Sequence, residues 1–575
     1  YELLHFRLNA TTTNRPSGSF YFDSMTAGLQ PNGQPVPNTG NTFAGFLLGS
    51  VREAYFDAEF TSWLPRSDIH SFYFQDDWKF SPTLTLNLGV RYSNESPFKT
   101  KYGLQSNFDP AGTDTLVAGG KGAITHPTGA LNTRDNNNFQ PRIGLAWHPL
   151  SNFVFRGGFA INTVDVKFPS SRGQFDEYVG INDQLRATND PRPLFQLSNG
   201  PAKVTFASNG PNTAAYVNPA ANYSGRNVEW WDPALRNPYI LNWNGGVQYQ
   251  VGPTYVIDLS YQGSSGVGLL ERWQYNTFPV DYAANDPALR ARVFAAAQNF
   301  RPYPNFGNVM LRSNFGHSTY HGATAKLEKR MSQGLTFSTF YTFSKAIDSQ
   351  DNDNDGSGVA PLQNRGLEKA RAGYDRNHRF IAYTTYQLPV GKGRKFMSGG
   401  GWKDAILGGY EIAFIQTLES GNPITFDFAG SPSNYYPTFA GNRRPNLVSQ
   451  PTLLDDWNNV GGDRFTQANR NPTIDISHFA YPAAFTPGNA GRNILTGPRL
   501  LWSQVSAQKN WTVKERFNVQ LRWDFQNPFH NYNYNNPTSQ VNFTSPQLFG
   551  KLTSDQRTAS IGGQALMNLT LQVRW

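Results

Sequence analysis

Residues 83–95 read TLTLNLGVRYSNE and form a segment with two chemically different faces. Alternate side chains of an extended chain point to opposite faces, so one face carries Leu84, Leu86, Leu88, Val90 and Tyr92 and the other Thr85, Asn87, Gly89, Arg91 and Ser93. Strands of soluble proteins are usually about 5–6 residues long, whereas a tilted strand needs about 9–11 residues to cross a bilayer. The segment therefore predicts a strand with one face in lipid.

The composition is typical of a membrane barrel rather than of a soluble core. Hydrophobic residues make up 38% of the 575-residue chain and the mean hydropathy is −0.53, yet aromatic residues reach 14%. A barrel has this composition because only alternate strand residues face lipid, loops are polar and aromatic girdles mark both interfaces. No run of about 18 apolar residues is present, which excludes a helical membrane protein.

Charge and cysteine content exclude other classes of protein. The formal charge of +9 comes from scattered Lys and Arg, with only short clusters such as residues 392–395. A nucleic-acid partner would need a continuous basic track, so we expect none. The chain has no Cys, which rules out thiol chemistry. No G-x-S-x-G segment or other catalytic spacing is evident, and we therefore expect no enzyme activity.

Segments with the same two-residue period recur along the chain. We predict strands near residues 68–80, 83–93, 139–148, 152–165, 238–251, 254–263, 318–331, 335–346, 376–388, 406–420, 500–511, 515–526 and 565–575. Two or three further strands are expected within residues 2–10, 18–23 and 51–60. The total is then about 15 or 16 strands.

Tight turns and long loops alternate between these segments. Ser81-Pro82 and Gly252-Pro253 are typical of turns, whereas residues 166–237 and 421–499 are long excursions rich in Asn, Gly and Pro. A barrel gives this alternation when its turns face the periplasm and its loops face outward. The sequence therefore predicts an all-β fold, a transmembrane up-and-down antiparallel β-barrel with short periplasmic turns and long extracellular loops.

Four stretches of the chain resemble a known family. FQDDWKFSPTLTLNLGVRY at 74–92 is similar to the barrel of TonB-dependent outer-membrane receptors. The Oar-like branch of that family is indicated by LEKRMSQGLTFSTFYTFSKAID at 327–348, DRNHRFIAYTTYQLPVGKGRKF at 375–396 and NWTVKERFNVQLRWDFQNPF at 510–529. The order and spacing of these stretches also resemble that branch, from about residue 40 onward.

The resemblance implies a larger receptor than the present chain. Such receptors have a 22-stranded barrel, an N-terminal plug and a segment that contacts TonB. We therefore expect residues 1–575 to be the C-terminal part of the barrel, with the plug and N-terminal domains outside this chain. The implied location is the bacterial outer membrane. The implied partners are outer-membrane lipid and lipopolysaccharide, the barrel-assembly machinery, the TonB complex through an upstream region, and an unknown substrate.

The last predicted strand has the alternation of an outer-membrane assembly signal. Its apolar face carries Met567, Leu569, Leu571, Val573 and Trp575. The chain ends on an aromatic residue as the resemblance implies, although Trp575 stands where Phe is common. An ordinary amphipathic edge strand is the alternative interpretation.

One acidic run has the spacing of a calcium loop. Asp351, Asp353 and Asp355 are followed by Gly356, as in the D-x-D-x-D-G pattern. Position twelve is Leu362 rather than the bidentate Glu of an EF-hand. The two interpretations are a solvated acidic turn and a looser external Ca²⁺ site, and no other cofactor is expected.

Aromatic and arginine pairs mark candidate ligand contacts in the outer loops. Trp230-Trp231 and Tyr435-Tyr436 would stack on a sugar or peptide. The alternative interpretation is that they are girdle or loop-packing residues. Arg443-Arg444 would bind an anion or a lipopolysaccharide phosphate.

The favoured function is substrate recognition and passage across the outer membrane by a TonB-dependent receptor-like barrel. A passive porin-like or structural surface barrel is the first alternative. A secreted soluble β-rich carbohydrate-binding protein is the second.

Overall fold

A computed structural model describes most of the chain. The described residues are 1–9, 17–22, 36, 41–59, 64–103, 105–114, 117–125, 127–166, 179–185, 193–201, 226–279, 282–351, 362–428, 444–453, 472–483, 485–486, 488–513, 517–531, 533–552 and 565–574.

Fourteen antiparallel strands pair in sequence order as one meander within these residues. They are β1 (Glu2–Arg7), β2 (Pro65–Ser81), β3 (Leu84–Glu95), β4 (Phe139–Leu150), β5 (Phe153–Thr163), β6 (Tyr239–Val251), β7 (Tyr255–Gln274), β8 (Phe306–Ser332), β9 (Leu335–Asp348), β10 (His378–Gln387), β11 (Tyr410–Glu419), β12 (Leu500–Val513), β13 (Phe517–Gln526) and β14 (Leu566–Arg574).

The apolar face of β3 continues across its neighbours. Leu86 lies opposite Trp78 of β2 and Leu145 of β4, and Val90 lies opposite Phe74 of β2. Side chains on this face are exposed, as Val90 at 44% and Trp78 at 48% show. Asp76 of β2 is a charged residue on the same face. An exposed apolar face is what the hydrocarbon of a bilayer requires, and the predicted two-faced strand is confirmed.

The opposite face of the same strands is polar. Asn87 of β3 lies opposite Asp77 and Gly144, and its amide donates to the Asp77 carboxylate at 2.5 Å. A Cβ at Gly144 would lie 3.2 Å from the Asn87 side chain, so glycine allows this close approach. This face lines concavities along the sheet and is the interior face of the barrel.

Short turns and long loops alternate as the sequence predicts. Residues 82–83, 151–152, 252–254 and 333–334 form tight turns at one end of the strands, and residues 388–409 form a longer connection at that end. Gly252 adopts a left-handed conformation with φ of 60° in its turn. The long loops lie at the other end, so the turns are periplasmic and the loops extracellular.

The loops have secondary structure of their own. The helices are α1 (Thr42–Leu47), α2 (Pro287–Ala295) and α3 (Trp402–Leu407), with 3₁₀ turns at Leu197–Asn199, Ala297–Phe300, Leu362–Glu368, Ile476–His478 and Pro546–Leu548. Short strands lie at Ser19–Tyr21, Ser50–Val51, Glu53–Glu59, Lys99–Thr100, Asn107–Thr113, Lys121–Thr125, Val179–Leu185, Phe195–Gln196, Arg226–Trp231, Ala370–Arg371, Pro423–Ile424, Asp427–Phe428, Asn446–Leu447, Phe479–Ala480, Leu495–Thr496 and Gln540–Val541. No helix among the described residues is long and apolar enough to span a membrane.

Two of the predicted N-terminal strands pair outside the meander. Ser19–Tyr21 and Glu53–Glu59 form a separate three-stranded sheet with Val179–Leu185. Two other strands are longer than predicted, since β7 and β8 continue outward as a paired ribbon. The strand predicted at 406–420 begins at Tyr410, because residues 402–407 form α3.

The C-terminal strand β14 carries its predicted apolar face beside that of β13. Leu569 lies opposite Trp523, and Leu571 lies opposite Leu521. Met567, Leu569 and Leu571 are at least 60% exposed. Trp575 lies outside the described residues.

Candidate functional site

A polar pocket of about 940 Å³ lies on the interior face at the extracellular end of the wall. Side chains of β7 to β11 form its floor and residues of the extracellular loops complete it. The two-residue period of each strand brings every second residue to this face. Residues that share the interior face in neighbouring strands therefore meet in the pocket although they are far apart in sequence.

A carboxylate between two guanidinium groups dominates the charge of the pocket. Arg379 of β10 lies directly opposite Glu419 of β11, and its Nε is 2.7 Å from the Glu419 carboxylate. Arg376 approaches the same carboxylate at 3.7 Å. The Glu419 side chain is 14% exposed but that of Arg379 is 54% exposed, so the Arg379 guanidinium can contact a solute.

Neutral hydrogen-bonding groups surround this charged pair. The other lining side chains include Gln262, Tyr320, Thr342, Tyr374, Asn422 and Asn536. Thr342 and Thr324 hydrogen-bond to each other through their hydroxyl groups at 2.9 Å. Such a lining suits a polar solute with several donors and acceptors.

Ion pairs fasten a loop to the rim of the pocket. Arg492 forms ion pairs with Asp348 at the end of β9 and, at 3.0 Å, with Asp351. Arg371 pairs with Asp375 at 3.0 Å and donates to the Thr496 hydroxyl at 2.9 Å. Asp348 lies beyond the membrane-spanning part of β9, and burial raises its pKa to about 6 although Arg492 favours the charged form. The rim is therefore a packed structure with its own ionic links.

An aromatic core holds three extracellular loops together beside the pocket. Phe278 belongs to the loop after β7, Phe426 and Phe479 belong to the loop after β11, and Phe549 belongs to the loop after β13. All four are at most 3% exposed. The rings of Phe426 and Phe479 are 4.7 Å apart. Burial of large rings stabilises the arrangement, so these loops form a structured layer over the wall.

Arg444 lies inside the loop layer and not at its surface. Arg444 and Glu368 form an ion pair in which both side chains are 3% exposed. Arg444 was predicted to contact an anion, and in the structure the Glu368 carboxylate already supplies a negative charge beside it. Arg443, Tyr435 and Tyr436 lie outside the described residues.

The tryptophan pair is divided between two environments. Trp231 is fully buried, with its ring 5.1 Å from that of Phe98. Asn107 binds the Trp231 backbone at both its N–H and its carbonyl. Trp230 is half-buried, 4.8 Å from the Tyr275 ring. The geometry corresponds to the loop-packing interpretation of this pair.

The first residue of the acidic run contacts protein groups. The Asp351 carboxylate accepts a hydrogen bond from the Gly373 N–H at 2.6 Å in addition to its pairing with Arg492. Asp353 and Asp355 lie outside the described residues. Where the structure is described, no group of three or more His, Cys, Asp or Glu side chains is arranged to hold a metal ion.

Sequence reasoning missed the central pair of the pocket. Arg379 and Glu419 lie in strands that were predicted, near 376–388 and 406–420, and their charges are opposite. The pairing register of β10 and β11 places them side by side. Opposite charges on directly opposed residues attract. The pair could therefore have been predicted from the sequence if the register of these two strands had been known.

A meander of two-faced strands with an apolar outer face defines an outer-membrane β-barrel. The model of the outer membrane beta barrel domain family matches residues 1–564 of this chain. The chain therefore belongs to that family and is an outer-membrane protein.

Three of the solved structures that match the chain are a transporter, a siderophore receptor and an iron transporter. The transporter YddB from Escherichia coli is 9% identical, with 89% of this chain and 54% of that chain covered and a TM-score of 0.39. The siderophore receptor PiuA from Acinetobacter baumannii is 9% identical, with 91% and 44% covered and a TM-score of 0.39. The iron transporter FrpB from Neisseria meningitidis is 13% identical, with 91% and 45% covered and a TM-score of 0.34. The chain spans about half or less of the length of these proteins, and no curated protein sequence matches it.

Glu95 makes the junction between barrel and loops sensitive to pH. It lies beyond Tyr92, outside the membrane-spanning part of β3, and accepts hydrogen bonds from Asn237 and from the Val166 N–H. Burial raises the pKa of Glu95 from its ordinary value of 4.5 to about 7, and the hydrogen bond from Asn237 opposes that rise. The folded state therefore binds the proton more tightly than the unfolded state. The contribution of Glu95 to the stability of the folded state is complete below about pH 4.5 and is lost as the pH rises through 7.

We expect the junction to open more readily at pH 8 than at pH 5. Hydrogen exchange at residues 164–166 and 237–240 would measure this, with Glu95→Gln compared at each pH to remove the intrinsic pH dependence of exchange. The variant should lose the pH response, which is on the order of 2 kcal/mol. An equal response in the variant and the native protein would show that Glu95 does not control the junction.

Proposed function

We propose that this barrel recognises a polar solute at its extracellular side and passes it across the outer membrane, as a TonB-dependent receptor does. The supporting observation is the polar pocket, in which the exposed guanidinium of Arg379 projects from a wall of hydrogen-bonding side chains. Arg379 would orient the solute by charge-assisted hydrogen bonds. The structured loop layer would exclude other solutes by its fixed shape.

The TonB dependence of this proposal rests on the resemblance of four stretches of sequence to TonB-dependent receptors, three of which indicate the Oar-like branch. Energy coupling through TonB, a plug, contact with lipopolysaccharide and insertion by the barrel-assembly machinery belong to the same proposal. An external Ca²⁺ bound by Asp351, Asp353 and Asp355 remains a further proposal, and it would require Asp351 to exchange its arginine partner for the ion. No catalytic role is proposed for any residue.

Replacing Arg379 by alanine should lower the apparent affinity of uptake at least about tenfold while leaving the surface level of the protein unchanged. Arg379 would contact the solute, whereas its strand pairing does not depend on the side chain. The measurement is depletion of a mixed panel of ferric siderophores, oligosaccharides and short peptides from the medium. Mass spectrometry would measure this depletion for cells with and without the complete gene.

Arg522→Ala is the matched control. Arg522 also lies on the interior face and pairs with a carboxylate, that of Asp524 at 2.7 Å, but it lies outside the pocket. A TonB-inactivated strain tests energy coupling. Uptake that survives both Arg379→Ala and TonB loss, together with free conductance of the complete protein in a planar bilayer, would contradict the proposal and establish a passive pore.

A further inference from the structure

The periplasmic connection between β10 and β11 folds against the outside of the barrel wall. Within residues 388–409, here called the 388–409 segment, α3 contacts two side chains of β12. Trp511 donates from its indole N–H to the Ala405 carbonyl at 2.7 Å. Lys509 donates to the carbonyls of Asp404 and Gly408. The segment is therefore attached to β12.

The contacts lie on the apolar face of β12. Lys509 is opposite Leu521 and Trp511 is opposite Val519 in β13, and this row of β13 continues into the apolar face of β14. Helix α3 is thus outside the wall, on the side that faces lipid. The Lys509 ammonium is buried between the rings of Tyr410 and Trp511, at 4.8 Å and 5.2 Å from their centres.

The segment has a fixed fold. The Asp404 carboxylate accepts a hydrogen bond from the Lys392 N–H at 2.8 Å. Gly391 has a φ of 125°, and a Cβ there would lie 3.0 Å from the Gly408 Cα. The two ends of the segment therefore pack closely, and the residues between them are held in one arrangement.

Large apolar side chains on this segment project away from the protein. The exposed fractions are 71% for Trp402, 55% for Ile406 and 53% for Leu407, and Phe396 is 52% exposed. Side chains of this size, beside a lipid-facing wall and at the level where its strands end, are typical of membrane interfaces, where Trp is enriched.

The charge of the segment is positive. Its net charge is +3, from four basic residues less one acidic residue. The basic residues are Lys392, Arg394, Lys395 and Lys403, and the acidic residue is Asp404. The Lys403 ammonium lies 5.8 Å from the Trp402 ring and the Lys395 ammonium 5.4 Å from the Phe396 ring. Lys395 and Lys403 thus each accompany an apolar side chain, the arrangement of an interfacial anchor that places rings in lipid and charges among the headgroups. Arg394 donates to the side-chain oxygen of Gln387 at 3.0 Å.

We propose that the 388–409 segment lies in the periplasmic leaflet of the outer membrane and binds the headgroups of anionic phospholipids. The apolar side chains continue the lipid-facing surface of β12 and β13, and the basic side chains supply charge complementarity. Basic residues near an anionic surface contribute about 1 kcal/mol each. This role does not depend on which solute the barrel passes.

Fluorescence quenching would test the position of the segment. The chain has no Cys, so Ile406→Cys offers one site for a bimane label, and Ser151→Cys, in the exposed turn between β4 and β5, is the matched control. The full chain would be reconstituted into phosphatidylcholine vesicles containing brominated phosphatidylglycerol. We expect bimane at 406 to be quenched by the brominated lipid at least about threefold more than at 151, and to be shielded from aqueous iodide. Equal quenching at the two sites would overturn the proposal.

Two experiments test the headgroup preference. In the first, the brominated lipid is phosphatidylcholine instead of phosphatidylglycerol. The second uses a variant from which the positive charges have been removed. The variant combines Lys392→Gln, Arg394→Gln, Lys395→Gln and Lys403→Gln, all at solvent-facing side chains. Phosphatidylglycerol retained on the protein in native mass spectrometry should fall at least about tenfold relative to phosphatidylcholine. Heat-modifiable migration on gels confirms that the variant barrel is folded. Unchanged retention by a folded variant would exclude recognition of anionic headgroups.

Discussion

Leu86→Arg is expected to reduce the amount of folded barrel in the outer membrane severely. Leu86 lies on the apolar face of β3, opposite Trp78 and Leu145, well inside the membrane-spanning part of the strand. An arginine on the lipid face near the bilayer midplane costs about 2–4 kcal/mol. Quantitative immunoblotting of outer-membrane fractions, with heat-modifiable migration as the measure of folding, would follow the loss.

Asn87→Arg is the control for this substitution. Asn87 is the next residue of β3 but lies on the interior face, where Asp77 stands directly opposite. The new guanidinium would pair with that carboxylate in a wet interior, so we expect nearly normal assembly. Equal loss in the two variants, or normal assembly of Leu86→Arg, would mean that the apolar face does not meet hydrocarbon.

Glu368→Ala is expected to destabilise the extracellular loop layer by about 3–5 kcal/mol. The substitution removes the carboxylate partner of the Arg444 guanidinium, and both side chains are almost fully buried. The hydrogen bonds from Arg444 to the carbonyls of Leu367 and Ala490 do not neutralise its charge. Limited proteolysis and hydrogen exchange at residues 444–449 and 476–480 on intact cells would report the opening.

The double variant Glu368→Leu with Arg444→Met distinguishes loss of the charge pair from loss of packing. Hydrophobic residues of similar volume often replace a buried ion pair without loss, so the double variant should regain most of the protection. Protection in Glu368→Ala equal to that of the native protein would contradict the assigned role of the pair. The barrel itself should migrate normally in every variant, because its strand pairing does not involve either residue.

The architecture could be predicted because it depends on local pattern. A membrane strand must place every second side chain in lipid, so residues 83–95 reveal both their conformation and their environment. Turn residues such as Gly252-Pro253 fix which ends of the strands are joined closely. The alternation of turns and loops then determines the topology with no knowledge of long-range contacts.

The loop layer and the pocket could not be predicted in this way. Phe278 and Phe549 belong to different loops, and nothing periodic in either segment indicates that they pack together. The parts of β7 and β8 that extend beyond the membrane do not alternate between apolar and polar residues. The sequence pattern therefore predicts shorter strands than the structure has. Glu368, the ion-pair partner of Arg444, is distant in sequence, so no local pattern indicates their pairing. These features follow from tertiary packing, which local pattern does not encode.

A nitroxide scan of residues 84–92 would test most directly whether hydrocarbon contacts the apolar face of the strands. The absence of Cys allows one labelled cysteine at a time in the reconstituted full chain. We predict that oxygen, which partitions into lipid, will relax the labels at 84, 86, 88 and 90, and that a water-soluble nickel chelate will relax those at 85, 87 and 89. Loss of this two-residue alternation, or protection of the even positions from both reagents as in a dry protein core, would contradict the account.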